Sequence, residues 1–141
     1  MSLVLLDTPA WIWSFEGDLR RIGRRTRARL SRAQAEDAIR VSPASVFEVT
    51  ALHTSGRLRL TRSPEQWIND ALAVAGVRLA ALSVAIAIDA GSIPRTALAD
   101  PFDRLIVATA RQLDATLLTS DARILAYASE TGNVRVHDAS A

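Results

Sequence analysis

The chain has 141 residues, 49% of them hydrophobic, with 17 basic and 15 acidic side chains for a net charge of +2, and no cysteine. That length suits one domain, residues 1–141, with a single sizeable core, and the lack of cysteine excludes disulfides, thiol catalysis and cysteine-based zinc sites. Every basic residue is arginine, and at so small a net charge only local clustering of arginines supports a nucleic-acid partner.

In chain order, residues 3–6 read as a buried strand, with Thr8-Pro9 as the cap and first position of a helix, so Asp7 lies where strand hands over to helix. The strand run is too short for a secretion signal and no stretch is long enough to cross a membrane; the expected location is the cytoplasm. Trp11, Trp13 and Phe15 follow, read as core in preference to an entrance wall. Residues 18–32 predict a second helix with Leu19, Ile22 and Leu30 as a thin apolar stripe. Seven arginines surround that stripe, among them Arg20, Arg21, Arg24 and Arg25, and form either a solvated face or a phosphate-binding, RNA-contacting patch.

Residues 38–41 predict the next strand, and Ser42-Pro43 starts a helix running to about His53 that carries Glu48 among apolar neighbours. Ser63-Pro64-Glu65-Gln66 starts another helix, residues 77–82 predict a strand, and residues 83–90 a short apolar helix closed by Gly91. After a loop, Asp100-Pro101 opens a largely apolar helix with Asp103 in its first turn. Residues 115–119 are short, apolar and β-compatible, which puts Asp121 just past a strand's carboxyl end; a further helix and a strand at 134–137 complete the chain.

Short apolar strands alternating with helices predict an α/β fold, a central, mostly parallel sheet flanked by helices. In such sheets ligand sites form beyond the carboxyl ends of the strands. Asp7 and Asp121 are placed there by their turns, and Glu48 lies early on a helix leaving another strand. If the Asp103 helix starts at that same end, all four acids converge. Converging carboxylates need a cation or protons, and oxygen donors without Cys or His suit Mg²⁺ or Mn²⁺, the ions of phosphodiester hydrolysis. Taken singly, Asp7, Asp103 and Asp121 also have plainer explanations as caps or first-turn acids; Glu48 is harder to explain that way. Pro9 stands where an Asp-x-Asp phosphatase needs its second aspartate, no G-x-S-x-G elbow or glycine-rich phosphate loop occurs, and His53 and His137 read as structural or surface residues.

Four segments, taken together, resemble the PIN-domain ribonucleases of the VapC toxin type: Val4-Leu5-Leu6-Asp7-Thr8, the run from Val41 to Val49 with Gly56-Arg57-Leu58 after it, Asp100-Pro101-Phe102-Asp103-Arg104-Leu105-Ile106, and Leu117-Leu118-Thr119-Ser120-Asp121. They occur in the family's order and span almost the whole chain. The resemblance implies a PIN-like three-layer fold, Mg²⁺ or Mn²⁺ dependence and endonucleolytic RNA cleavage. It implies catalytic and metal-binding roles for Asp7, Glu48, Asp103 and Asp121, with Asp100 and Thr119 as accessories. It also implies a VapB-like antitoxin and a homodimer. Pro9, His53 and Leu98 depart from residues common in relatives, which bears on substrate preference and removes no acid. Two alternatives stay open: an RNA- or partner-binding module with an idle metal site, and a structure-specific DNA nuclease.

Overall fold

The computed structural model describes residues 2–141. Five strands, β1 (Val4–Leu6), β2 (Ile39–Val41), β3 (Val77–Leu79), β4 (Thr116–Thr119) and β5 (Val136–Asp138), form one sheet in the order β3-β2-β1-β4-β5, and every pairing is parallel. Seven helices connect and cover them: α1 (Thr8–Glu16), α2 (Arg24–Ala35), α3 (Pro43–Thr54), α4 (Pro64–Leu72), α5 (Val84–Ser92), α6 (Pro101–Leu113) and α7 (Ala122–Thr131).

The layers follow from the two-residue period of a strand. Val4, Leu6 and Leu118 point into one core with Trp11, Val49, Trp67 and Ile68, whereas Leu5 and Leu117 point into the other with Ile106, Val107, Ile124 and Tyr127. Strands buried on both faces need no polar alternation, which is why VLL and TLLT are nearly continuous apolar runs. Trp67 is fully buried; its ring meets those of Trp11 (5.1 Å, 70°) and Phe15 (5.2 Å, 83°) edge-on, and its Nε1–H donates to Glu16 Oε1 at 2.6 Å.

Helix starts are set by side-chain caps: Ser42, Ser63, Ser83, Asp100 and Asp121 each accept a backbone N–H of the following turn. At α1 the cap is Asp7, not Thr8, which already lies in the helix.

The largest difference from the expected elements is between α1 and α2. Residues 18–23 form a turn, not the first part of a helix; Leu19 is exposed while Ile22 is buried. Gly17 ends α1 in the left-handed region (φ 69°), and Gly23, extended, donates its N–H to Ala139 O. A Cβ on Gly23 would lie 2.0 Å from Ala141 O, so the glycine is required by close packing of residues 139–141 against it. Local helix propensity across 18–23 yields to that contact. Elsewhere the third strand ends three residues earlier than expected, the fifth starts two residues later and ends one later, and α5 continues through Gly91 to Ser92.

Candidate active site

Parallel pairing brings the ends of β1 and β4 level, with Leu6 opposite Leu118. The next residues therefore emerge together at the carboxyl edge, where the Asp7 N–H donates to Leu118 O (3.2 Å). α6 precedes β4 and runs antiparallel to it, so its first turn starts at the same edge. Asp7, Glu48, Asp100, Asp103 and Asp121 accordingly line one cavity of about 110 Å³, together with Thr8, Pro9, Ile106 and Arg123.

Each acid is held differently. Asp7, only 4% exposed, uses Oδ1 to accept the Ala10 N–H (2.8 Å) and Oδ2 to accept the Thr119 hydroxyl (2.5 Å). Thr119, fully buried, also accepts the Asp121 N–H on its Oγ1 (3.0 Å), so one hydroxyl ties two acids together. Asp121 caps α7 through Oδ1, and Arg123 stands 3.4 Å from its Oδ2. Asp100 accepts the Phe102 N–H at 2.8 Å. Asp103 is the exception: its Oδ2 is buried and has no hydrogen-bond partner among the described residues. Capping and convergence therefore coexist in the same side chains, since a carboxylate has more acceptor positions than a cap uses.

Glu48 is half-buried rather than enclosed by apolar side chains, because its neighbour Phe47 points outward, 61% exposed. Its partner is Thr8, whose hydroxyl donates to Glu48 Oε1 at 2.5 Å and lies 2.9 Å from Ser45 Oγ. The sequence pattern reads Thr8 as a cap and gives Arg123 no role in the site. The available signals were the Asp-Thr pair at a strand-to-helix turn and an arginine two residues after a capping acid.

Burial pushes the Asp7 carboxyl up to about 6, the nearby Asp121 and Glu48 adding to the effect while the Thr119 and Ala10 hydrogen bonds oppose it. Burial likewise raises Asp103 to about 7, reinforced by Asp100, Asp121 and Glu48 and opposed by Arg123. The native state thus binds protons at pH values where the unfolded chain has lost them. Stability of the metal-free protein should fall as pH rises from about 4 through 7, Asp7 alone contributing on the order of 3 kcal/mol. Asp37, Asp89 and Asp138 are shifted downward, so their contributions are lost only as pH falls below about 4. Thermal unfolding in EDTA at pH 5 and pH 8 should give the lower Tm at pH 8; an equal or higher value there would contradict this account of the site.

The donor set fits a hard divalent cation: all oxygen, with an unpartnered buried carboxylate oxygen on Asp103 and two acids that resist ionisation without compensating charge. Among the described residues no three acids stand close enough to make a coordination shell by themselves. Mg²⁺ needs no such cage, since it keeps several waters and takes one or two direct carboxylates.

The family model for the PIN domain matches residues 4–130. The chain belongs to the PIN domain family. Solved structures share this PIN fold. A chain of the VapBC2 complex from Rickettsia felis bound to promoter DNA aligns with TM-score 0.68 at 15% identity, covering 96% of this chain and 97% of that one. A chain of DNA-bound VapBC from Salmonella typhimurium gives 0.67 at 19%, covering 98% of each, and one of FitAcB from Neisseria gonorrhoeae 0.60 at 22%, covering 96% and 97%. No curated protein is similar in sequence at a significant level.

The four arginines expected to contact RNA do not line this PIN domain's acidic cavity. Arg20 and Arg21 sit in the turn before α2, 3.7 and 3.4 Å from Asp18, and Arg24 and Arg25 are exposed in the first turn of α2. That turn is pinned beyond the end of β5, where Gly23 N–H donates to Ala139 O and Thr26 N–H to Ala141 O. It therefore occupies the same sheet edge as the acids, out past β4. Neither histidine lines the cavity; His137 Nε2 lies 2.9 Å from Thr26 Oγ1. Among the described residues no helix is long and apolar enough to cross a membrane.

Proposed function

We propose that this PIN domain is a divalent-metal-dependent endoribonuclease that acts in the cytoplasm as the toxin of a VapBC-type pair, restrained by a VapB-like antitoxin and assembled as a homodimer. The observation that carries the reading is the buried Asp103 Oδ2, without a partner among the described residues, in a cavity lined by four further acids. Asp7 and Asp103 would hold Mg²⁺ or Mn²⁺, with Glu48 and Asp121 completing the site. When bound, such an ion supplies charge compensation for the reacting phosphate and acidifies a water nucleophile. The chain's own groups do the rest. Thr119 fixes Asp7 and Asp121 relative to each other, Thr8 aims Glu48 into the cavity, and Arg123 offers a guanidinium to a phosphate oxygen at the mouth. Asp100 holds the first turn of α6, and with it the direction of Asp103.

Arg24 and Arg25 support a nucleic-acid substrate because they stand at the positive end of the α2 dipole, an unfavourable place for cations that phosphate binding would explain. The homodimer rests on the exposed Val84 and Ile88 of α5, with Leu79 and Leu82 before them.

The test compares single-stranded RNA and DNA of one sequence, with Mg²⁺, with Mn²⁺ and with EDTA. Internal cuts in RNA with either ion, none in EDTA and none in DNA are expected. The Arg24→Gln/Arg25→Gln protein should show a raised KM and a shallower salt dependence. Preferential DNA cutting would replace this reading with a DNA nuclease; no cleavage and no Mn²⁺ binding would replace it with a binding module.

A further inference from the structure

Phe47 is a large apolar side chain left 61% exposed, and its ring is not isolated: it stacks on Phe102, with centroids 5.3 Å apart and planes 24° from parallel. This is the offset arrangement that aromatic rings prefer. One face of Phe47 is thereby covered and the other is left toward solvent. The pair joins the two helices that supply the cavity's central acids. On α3 Phe47 immediately precedes Glu48, and on α6 Phe102 immediately precedes Asp103, its own N–H fixed by Asp100. Glu48, Asp100 and Asp103 all line the acidic cavity. The stacked pair thus sits on the two helices that carry Glu48 and Asp103, outside the residues that line the cavity.

Burial of α3 against α6 does not account for it. The interior contacts at this end are made by Ala44 and Ile106, both buried, so the exposed ring adds little to the core. A flat, rigid, one-sided aromatic face beside a phosphate-reactive centre matches the chemistry of an unpaired nucleobase, which stacks on such a face whatever its identity. A base in a duplex has both faces occupied and could not use it.

We propose that the stacked Phe47–Phe102 pair is a base-binding platform that holds a nucleobase of single-stranded RNA beside the acidic cavity. The proposal rests on the ribonuclease reading and names a positioning surface for it: Phe47 touches the base and Phe102 supports Phe47. Because stacking is indifferent to base identity, the platform selects for unpaired structure more than for sequence.

The experiment has a binding arm and a kinetic arm. In the Asp7→Asn background, single-stranded RNA carrying 2-aminopurine at each position in turn should lose fluorescence on binding at one position. Phe47→Ala should abolish that quenching and weaken binding about tenfold, the size of one stacking contact. Phe47→Trp should retain both, and Phe47→Leu, which keeps the bulk without the ring, should retain neither. In the active protein Phe47→Ala should raise KM about tenfold with kcat nearly unchanged. An abasic nucleotide at the quenched position should impair the parent and not the variant. Equal binding by Phe47→Ala and the parent would overturn the proposal. So would rescue by leucine, or a fall in kcat at constant KM, which would make Phe47 a prop for Glu48. If the parent cuts no RNA, the ribonuclease reading fails while the fluorescence arm still reports on the platform.

Discussion

Replacing Asp7 by asparagine is expected to give a protein that is more stable than the parent in EDTA at pH 8 and nearly devoid of RNA cleavage. The stability gain follows from where Asp7 sits. It is 4% exposed and its carboxyl is raised to about 6, so at pH 8 the native state holds a buried charge it would shed if it could. An asparagine oxygen still accepts the Ala10 N–H and keeps the α1 cap, and the amide can donate to Thr119 Oγ1 once that hydroxyl turns away. The gain should be about 2 kcal/mol, visible as a rise of several degrees in Tm. The activity loss follows from the missing negative oxygen, and should be roughly a thousandfold or more. Added Mn²⁺ should raise the Tm of the parent and leave the variant's nearly unchanged. A variant that is less stable in EDTA, or that cuts RNA at the parent rate, would sink the assignment of Asp7 as a ligand.

The second large effect is on folding. Trp67→Ala should cost about 4 kcal/mol, a large share of the stability of a domain this size. The lost ring is fully buried and carries two edge-on aromatic contacts, to Trp11 and Phe15, as well as the hydrogen bond to Glu16. Glu16 is exposed and rehydrates readily, so the cost is in packing rather than in a stranded charge. Trp67→Phe should recover most of it. Chemical denaturation of the three proteins checks this, and a loss below about 1 kcal/mol for the alanine variant would mean that α4 contributes little to the core. Because Trp11 lies one turn along α1 from Asp7, the alanine variant should also bind Mn²⁺ more weakly.

Much of this arrangement is readable in the residues before any coordinates. Ser-Pro and Asp-Pro pairs announce helix starts because a cap and a preset φ act locally, and the short apolar runs announce strands because both faces of a parallel sheet are dry. Those starts and the rule for parallel sheets place Asp7 and Asp121 at one edge with Glu48 near it, and leave the arrival of Asp103 to the direction of its helix, which the fold decides. What local signals do not carry is long-range. Residues 18–23 have helical composition, and they turn because residues 139–141 pack against Gly23 from the far end of the chain. The same contact sets where Arg24 and Arg25 stand. Phe47 belongs to an apolar stretch and would be taken as core; its exposure is decided by which side of α3 faces α6. Thr-Pro reads as cap and first position, whereas Asp7 is the cap and Thr8 lies inside the helix with its hydroxyl free to donate to Glu48. The strand order is likewise a property of the assembled sheet, although the expected α/β architecture is the one found.

The bond between Thr119 and Asp7 spans 112 positions of sequence. It joins the residue that follows β1 to the end of β4, with six helices and two strands between them in sequence. A chain without residues 116–121 has no Thr119 to hold Asp7, no Asp121 and no β4 level with β1, whatever the state of the six helices that precede them. Competence at this edge is therefore reached only once β4 and the turn after it have joined the sheet. Until β4 is added the chain is a set of helices around an incomplete sheet, without the Thr119 hydroxyl that ties Asp7 to Asp121.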